Sequence, residues 1–159
     1  MLRHFFQSLL VLCTLLCAAS AHADQHGDKT LGIGAGFNSV NHSAYADIYF
    51  RYSFNPHVRI APDVTYMFKH DGASGFGVNV DMQFPFKVCR GMQFFPLAGA
   101  TFNNWNYEGS SSQSRLGANA GAGFDLKFTQ TLRLTIIAKY SFMKHTDGVY
   151  VGAGIGYNF

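Results

Sequence analysis

Ser141 and His145 are the pair in this 159-residue chain whose types and spacing could carry a reaction. A histidine near a serine can take the proton of a hydroxyl nucleophile, provided a third group orients the base. The sequence places no acid to do so, since Asp147 reads as an ordinary loop residue. His42, His70 and His145 fall in or beside breaks between apolar segments; imidazole is a common metal ligand, but no two of them have close ligand spacing. Gly32-x-Gly34-x-Gly36 and Gly152-x-Gly154-x-Gly156 imitate a nucleotide loop, which requires a strand, a tight turn and a helix that are not present here. No catalytic, cofactor-binding or metal-binding residue is assigned, no cofactor is expected, and the chain reads as a protein that is not an enzyme.

The elements that would hold these residues follow a leader. Arg3 and His4 precede an apolar run from Phe5 through Cys17, and Ala18, Ala19, Ser20, Ala21, His22 and Ala23 supply an A-x-A cleavage site. That order is a secretory signal cut after Ala23. The run is shorter than the about 20 apolar residues a membrane helix needs. Leu12 and Leu16 stand before Cys13 and Cys17, where a lipidation signal would want Gly, Ala or Ser. Residues 1–23 therefore read as a cleaved signal peptide and residues 24–159 as one domain.

The composition is 48% hydrophobic, 16% aromatic and only 13% charged, against about 25% charged in ordinary soluble domains. So few charges beside 16 Phe argue against a water-soluble domain. After the leader, however, no run of about 18 apolar residues exists to make a membrane helix. A closed barrel is the other way across lipid, because its backbone groups pair between strands and only alternate residues must be apolar. A formal net charge of +3 is too small and scattered for a nucleic-acid surface, so no nucleic acid is expected.

Strict alternation marks eight segments. The first sets Leu31, Ile33, Ala35 and Phe37 against Gly32, Gly34 and Gly36; the second sets Ala46, Ile48, Phe50, Tyr52 and Phe54 against Tyr45, Asp47, Tyr49, Arg51 and Ser53. In the third, Val58, Ile60, Pro62, Val64, Tyr66 and Phe68 oppose Arg59, Ala61, Asp63, Thr65 and Lys69. The fourth alternates Phe76, Val78, Val80, Met82, Phe84 and Phe86 with Gly77, Asn79, Asp81, Gln83 and Lys87. The fifth has an apolar face of Met92, Phe94, Ala98, Ala100 and Phe102, with Phe95 and Leu97 making its other face less polar than the rest. The sixth turns Leu116, Ala118, Ala120, Ala122, Phe124, Leu126 and Phe128 away from Arg115, Asn119, Asp125 and Lys127. The seventh separates Leu132, Leu134, Ile136, Ala138, Tyr140 and Phe142 from Arg133, Thr135, Lys139 and Ser141; the eighth separates Val149, Val151, Ala153, Ile155, Tyr157 and Phe159 from Gly152, Gly154, Gly156 and Asn158. Strand charges gather on one face, as a polar interior and a lipid-facing exterior require. A soluble lipocalin-like barrel would show the reverse.

The fold class is thus all-β, an eight-stranded antiparallel transmembrane β-barrel. Brief turns are expected at Asn55-Pro56, Cys89-Arg90 and Thr129-Gln130, and four longer connections at the other end, the longest being Asn103 to Ser114 with Ser110, Ser111 and Ser112. Short periplasmic turns and longer outer loops would put both termini on the periplasmic side. Outward aromatics then form two belts, Phe37, Phe68, Phe76, Phe102 and Phe142 at one rim and Phe54, Phe84, Phe94, Phe128 and Phe159 at the other. Pro62, Pro85 and Pro96 fall inside strands and each removes a ladder donor, for which bulges are the expected accommodation.

On these segments, and on the closing Val151-Gly-Ala-Gly-Ile-Gly-Tyr-Asn-Phe159, the chain resembles the small outer-membrane barrels of the OmpA and OmpX type. The resemblance implies residence in the outer membrane of a Gram-negative bacterium, among its lipids and lipopolysaccharide, and recognition of Phe159 by the barrel assembly machinery. No peptidoglycan-binding domain follows as in the OmpA pattern. Barrels of this size that deacylate lipid A resemble one another in a His-x-Ser-Asn element; here the stretch reads His145-Thr146-Asp147-Gly148, without the serine.

The inward residues predict a plugged lumen. Eight strands leave an interior just wide enough for side chains to fill. Asp47, Asp63, Asp81 and Asp125 are expected to pair with Arg51, Arg59, Arg133, Lys139 and Lys127, with Arg51 near Arg59 and Asp63, and Asp125 near Arg133. The glycines of the first and last strands should form one bare wall beside them. The expected role is structural or surface interaction, in adhesion or envelope integrity, with an extracellular partner met through the outer loops. A lipid A deacylase or a narrow pore are the alternatives.

Overall fold

The computed structural model describes residues 27–109 and 111–159, so the leader and its cleavage site lie outside the described residues. Period-two alternation becomes β1 (Lys29–Asn38), β2 (Ser43–Asn55), β3 (Val58–His70), β4 (Ala73–Gln83), β5 (Phe86–Cys89), β6 (Met92–Tyr107), β7 (Gln113–Lys127), β8 (Leu132–Phe142) and β9 (Gly148–Asn158). All pairings are antiparallel, in the order β4-β3-β2-β1-β9-β8-β7-β6-β5, and β4 also pairs β6, which closes the ring. Because β4 and β5 lie in succession along β6, they are two pieces of one stave, and the barrel is eight-stranded.

The break between β4 and β5 falls at Phe84-Pro85. Phe84 N–H still donates to Pro96 O at 3.0 Å, but Pro96 has no N–H to return. At Pro62 the β2–β3 ladder lapses between Tyr49 opposite Asp63 and Tyr52 opposite Ile60, then resumes in the same register. The expectation of bulges at the prolines is therefore corrected. Register shifts lie instead at Ser53/Asn55, Met67/His70 and Lys87/Cys89, beside turns, where an extra residue disturbs no long ladder. The inward and outward faces consequently survive as expected.

Every outward belt residue named above except Phe94 is well exposed, and Leu116 reaches 77% and Ile33 67%. Inside, Arg59, Asp125, Arg133, Asp81 and Gln83 are buried. An apolar exterior around a charged interior is the inverse of a water-soluble protein and the pattern of a barrel surrounded by lipid. Adjacent outward rings pack at both rims, with Tyr66 and Phe68 5.4 Å apart and Tyr52 and Phe54 5.2 Å apart between centroids.

The connections correct a second expectation. Asn103 to Ser114 is not a long loop: β6 and β7 stay paired up to Trp105 opposite Gln113, leaving only residues 108–112 as the connection. Asp71-Gly72 is a two-residue turn with φ of 48° and 76°, the mirror-image turn that matches strand twist. Mass at the end opposite Lys29 and Phe159 is thus carried by extended strands more than by loops.

Candidate functional site: a closed and layered lumen

Asp125 on β7 is the centre of the layer nearer Lys29 and Phe159. Its carboxylate meets Arg51 at 3.1 Å, Arg59 at 2.6 Å and Arg133 at 3.2 Å, and accepts a bond from Thr135 Oγ1 at 2.7 Å. Arg51 also donates to Thr135, and Arg59 Nε donates to Gln83 Oε1 at 2.6 Å. Phe95 lies fully buried under these guanidiniums, with Arg59 4.6 Å and Arg51 5.6 Å from its ring centroid. The less polar inner face of the fifth segment thus serves as an aromatic bed for cations.

The next layer is built on Lys139, which reaches Asp63 and Asp81 at 3.2 Å each. Asn79 donates to Asp63; Asn119 donates to Asn79 Oδ1 at 3.2 Å and to Asp81 Oδ1 at 3.0 Å; and Ser141 Oγ donates to Asn119 Oδ1 at 2.6 Å. Above it, Tyr45, Met67, Trp105 and Tyr150 form an apolar cluster, with the Tyr150 hydroxyl 3.5 Å from Met67 Sδ. Side chains from β2, β3, β4, β6, β7, β8 and β9 therefore meet across the axis in three successive layers.

The glycine wall forms as expected, and its occupants are named by the structure. A Cβ on Gly32 would lie 2.3 Å from Tyr49 Cζ, one on Gly34 2.5 Å from Asp47 Oδ1, and one on Gly152 2.3 Å from the Tyr45 hydroxyl. The rings of Tyr45 and Tyr49 lie against β1 and β9 because no side chain stands there. Tyr49 in turn carries Arg51, 4.4 Å above its ring.

Several sequence expectations are rearranged. Arg51 does not pair with Asp63; it crosses the lumen to Asp125, whereas Asp63 is taken by Lys139 from β8. Asp125 does meet Arg133, as expected of neighbouring strands. Ser141 is buried in the lumen network and donates to Asn119, while His145 sits in the connection after β8 at φ 67°. His70 lies 3.5 Å from Asp71, and among the described residues no group of three His, Cys, Asp or Glu is arranged to hold a metal ion. The Tyr140 hydroxyl donates to Asp147 and holds that exposed carboxyl below the usual carboxylate range. Phe159 is held by backbone bonds to Lys29 with its ring 64% exposed.

The Trp105 layer was missed in the sequence because residues 103 to 114 read as a loop. Continued alternation of Thr101, Asn103 and Trp105 inward, against Phe102 outward, is the signal that could have found it.

This arrangement, a side-chain-filled ring of eight antiparallel strands with an apolar outside, is that of the small outer-membrane β-barrels. The N-terminal β-barrel domain of Pseudomonas aeruginosa OprF superposes with a TM-score of 0.74 at 18% identity, over 86% of this chain and 100% of that one. Neisserial surface protein A gives 0.71 at 16%, over 84% and 97%. Ail, the attachment invasion locus protein of Yersinia pestis, gives 0.64 at 16%, over 85% and 100%. At these identities the likeness is one of fold. No protein-family model matches the chain, and no curated protein matches it.

Proposed function

We propose that this chain is an exported barrel of the Gram-negative outer membrane, anchored among lipid and lipopolysaccharide, that works as a surface-interaction scaffold and not as a pore or an enzyme. One observation carries the reading. The β6–β7 hairpin continues to Trp105 opposite Gln113, but β7 pairs β8 only from Ala118 opposite Phe142. Residues 113–117 of β7 therefore show no strand partner on the side away from β6 among the described residues. A strand edge with free N–H and C=O groups is a template for an added strand. The pairing of β4 with β6 as far as Ala73 opposite Tyr107 braces the projection. Lys29, where β1 begins, and Phe159 lie at the opposite end, which in this reading is periplasmic, with Phe159 presented to the assembly machinery.

The name of Ail as an attachment and invasion protein supports the same reading. Binding of intact cells and of purified protein to immobilised host matrix proteins tests it, with Ser114→Pro to block the edge while leaving the lumen untouched. Loss of binding in that variant is expected; wild-type binding by the variant refutes the edge. The pore alternative is opposed by the filled lumen, and reproducible large ohmic openings in planar bilayers would restore it. Loss of an acyl chain from lipid A on incubation with the purified protein would restore the enzyme.

A further inference from the structure

Beyond the last β7–β8 pair, Ala118 opposite Phe142, the chain does not leave β7 at once. The connection from β8 to β9, residues 143–147, continues beside Gly117 and Arg115 of the unpaired edge. Met143, 5% exposed, fills the space left by Gly117, whose Cβ would stand 2.3 Å from Met143 Cγ. Its Sδ accepts a bond from Asn103 Nδ2 at 3.4 Å. Arg115, in the middle of the edge, donates from Nη1 to Lys144 O at 2.8 Å. Thr146 folds back, buried, with its N–H on Met143 O at 3.3 Å. The far end is fixed by Asp147, which accepts from the Tyr140 hydroxyl, and by Gly148, packed against Val40.

This closed arrangement carries costs of its own. His145 holds the left-handed backbone, φ 67°, which is unfavourable for a residue with a side chain. Thr146 Oγ1 and Arg115 Nε are buried with no hydrogen-bond partner, and each such group forfeits its hydration without return. The ties through Arg115 and Met143 are thus set against backbone strain and two orphaned polar groups. We propose that residues 143–147 form a strap across the β7 edge, which must swing off before an added strand can pair there. The proposal rests on the surface-interaction reading and supplies its regulation. A partner meets only the open fraction, so its apparent dissociation constant is raised by the inverse of that fraction.

The test pairs two measurements on the purified protein in phospholipid vesicles. Trypsin cleavage after Lys144 reads release of the strap without any partner, and binding to immobilised collagen and fibronectin reads access to the edge. Met143→Ala and Arg115→Met should each be cut about tenfold faster than wild type, the worth of one buried side chain or one charge-assisted hydrogen bond, and bind tighter by a similar factor. Thr146→Val removes the orphaned hydroxyl at nearly constant shape, so cleavage should slow and binding weaken. Should Met143→Ala fail to fold, Arg115→Met and Thr146→Val still pull in opposite directions. Cleavage at the wild-type rate in every folded variant overturns the strap. Faster cleavage with unchanged binding overturns it as a guard of the edge and leaves the surface-interaction reading standing, whereas binding by no form removes that reading and the strap's regulation with it.

Discussion

Arg51 on β2 crosses the lumen to Asp125 on β7, 74 positions along the chain, and closes on Oδ1 at 3.1 Å. Arg59 reaches the same carboxylate at 2.6 Å and Arg133 at 3.2 Å. One acid on β7 thus ties β2, β3 and β8 to its own strand at a point where its side chain is fully buried.

Asp125→Asn leaves three buried guanidiniums around a neutral amide. Removing one partner of a buried ion pair is destabilising by about 3–5 kcal/mol, and that loss is expected in urea unfolding from vesicles. Asp147→Asn, at an exposed connection, should change stability by less than about 0.5 kcal/mol. Equal effects of the two substitutions would remove Asp125 from its central place.

Gly32→Ala sets a Cβ within 2.3 Å of the Tyr49 ring. Overpacking of this kind is destabilising by about 1–3 kcal/mol. The double variant with Tyr49→Ala should recover part of the loss, because the methyl then has room. Strict additivity in that double-mutant cycle would show that ring and glycine do not meet.

For topology, a protease site inserted between Ser111 and Ser112 should be cut on intact cells, and one between Pro56 and His57 only after the outer membrane is opened. The two positions lie at opposite ends of the barrel. The reverse pattern would turn the barrel over.

Deleting Phe159 should lower the amount of heat-modifiable barrel in the outer membrane while export continues. Its ring faces outward and its backbone only closes the last pair with Lys29, so the folded lumen does not depend on it. An unchanged folded yield would show that the terminal aromatic is not read during assembly.

How much of this was legible in the sequence can be traced strand by strand. Alternation is local: Phe76, Val78 and Val80 against Gly77, Asn79 and Asp81 place one face in lipid and the other in the lumen without knowledge of any partner. Glycine on β1 and β9 likewise announced a bare wall, because strands at the two chain ends must meet when a barrel closes. The extent of the β6–β7 hairpin was not legible, since Asn103, Asn104, Asn106 and the serines are residues of loop type that ladder bonds from β4 and β7 hold as strand.

The sequence by itself determined that this chain crosses lipid as eight antiparallel strands around a charged interior, because a period of two assigns each side chain to a face independently of everything distant. Only the tertiary structure decided which charges meet. Neighbour-strand reasoning put Arg51 beside Asp63, but closure brings β7 and β8 across the axis from β2 and β3, so Arg51 and Arg59 go to Asp125 and Lys139 takes Asp63 and Asp81. The physical reason is that a pleat fixes direction while barrel closure fixes who stands opposite.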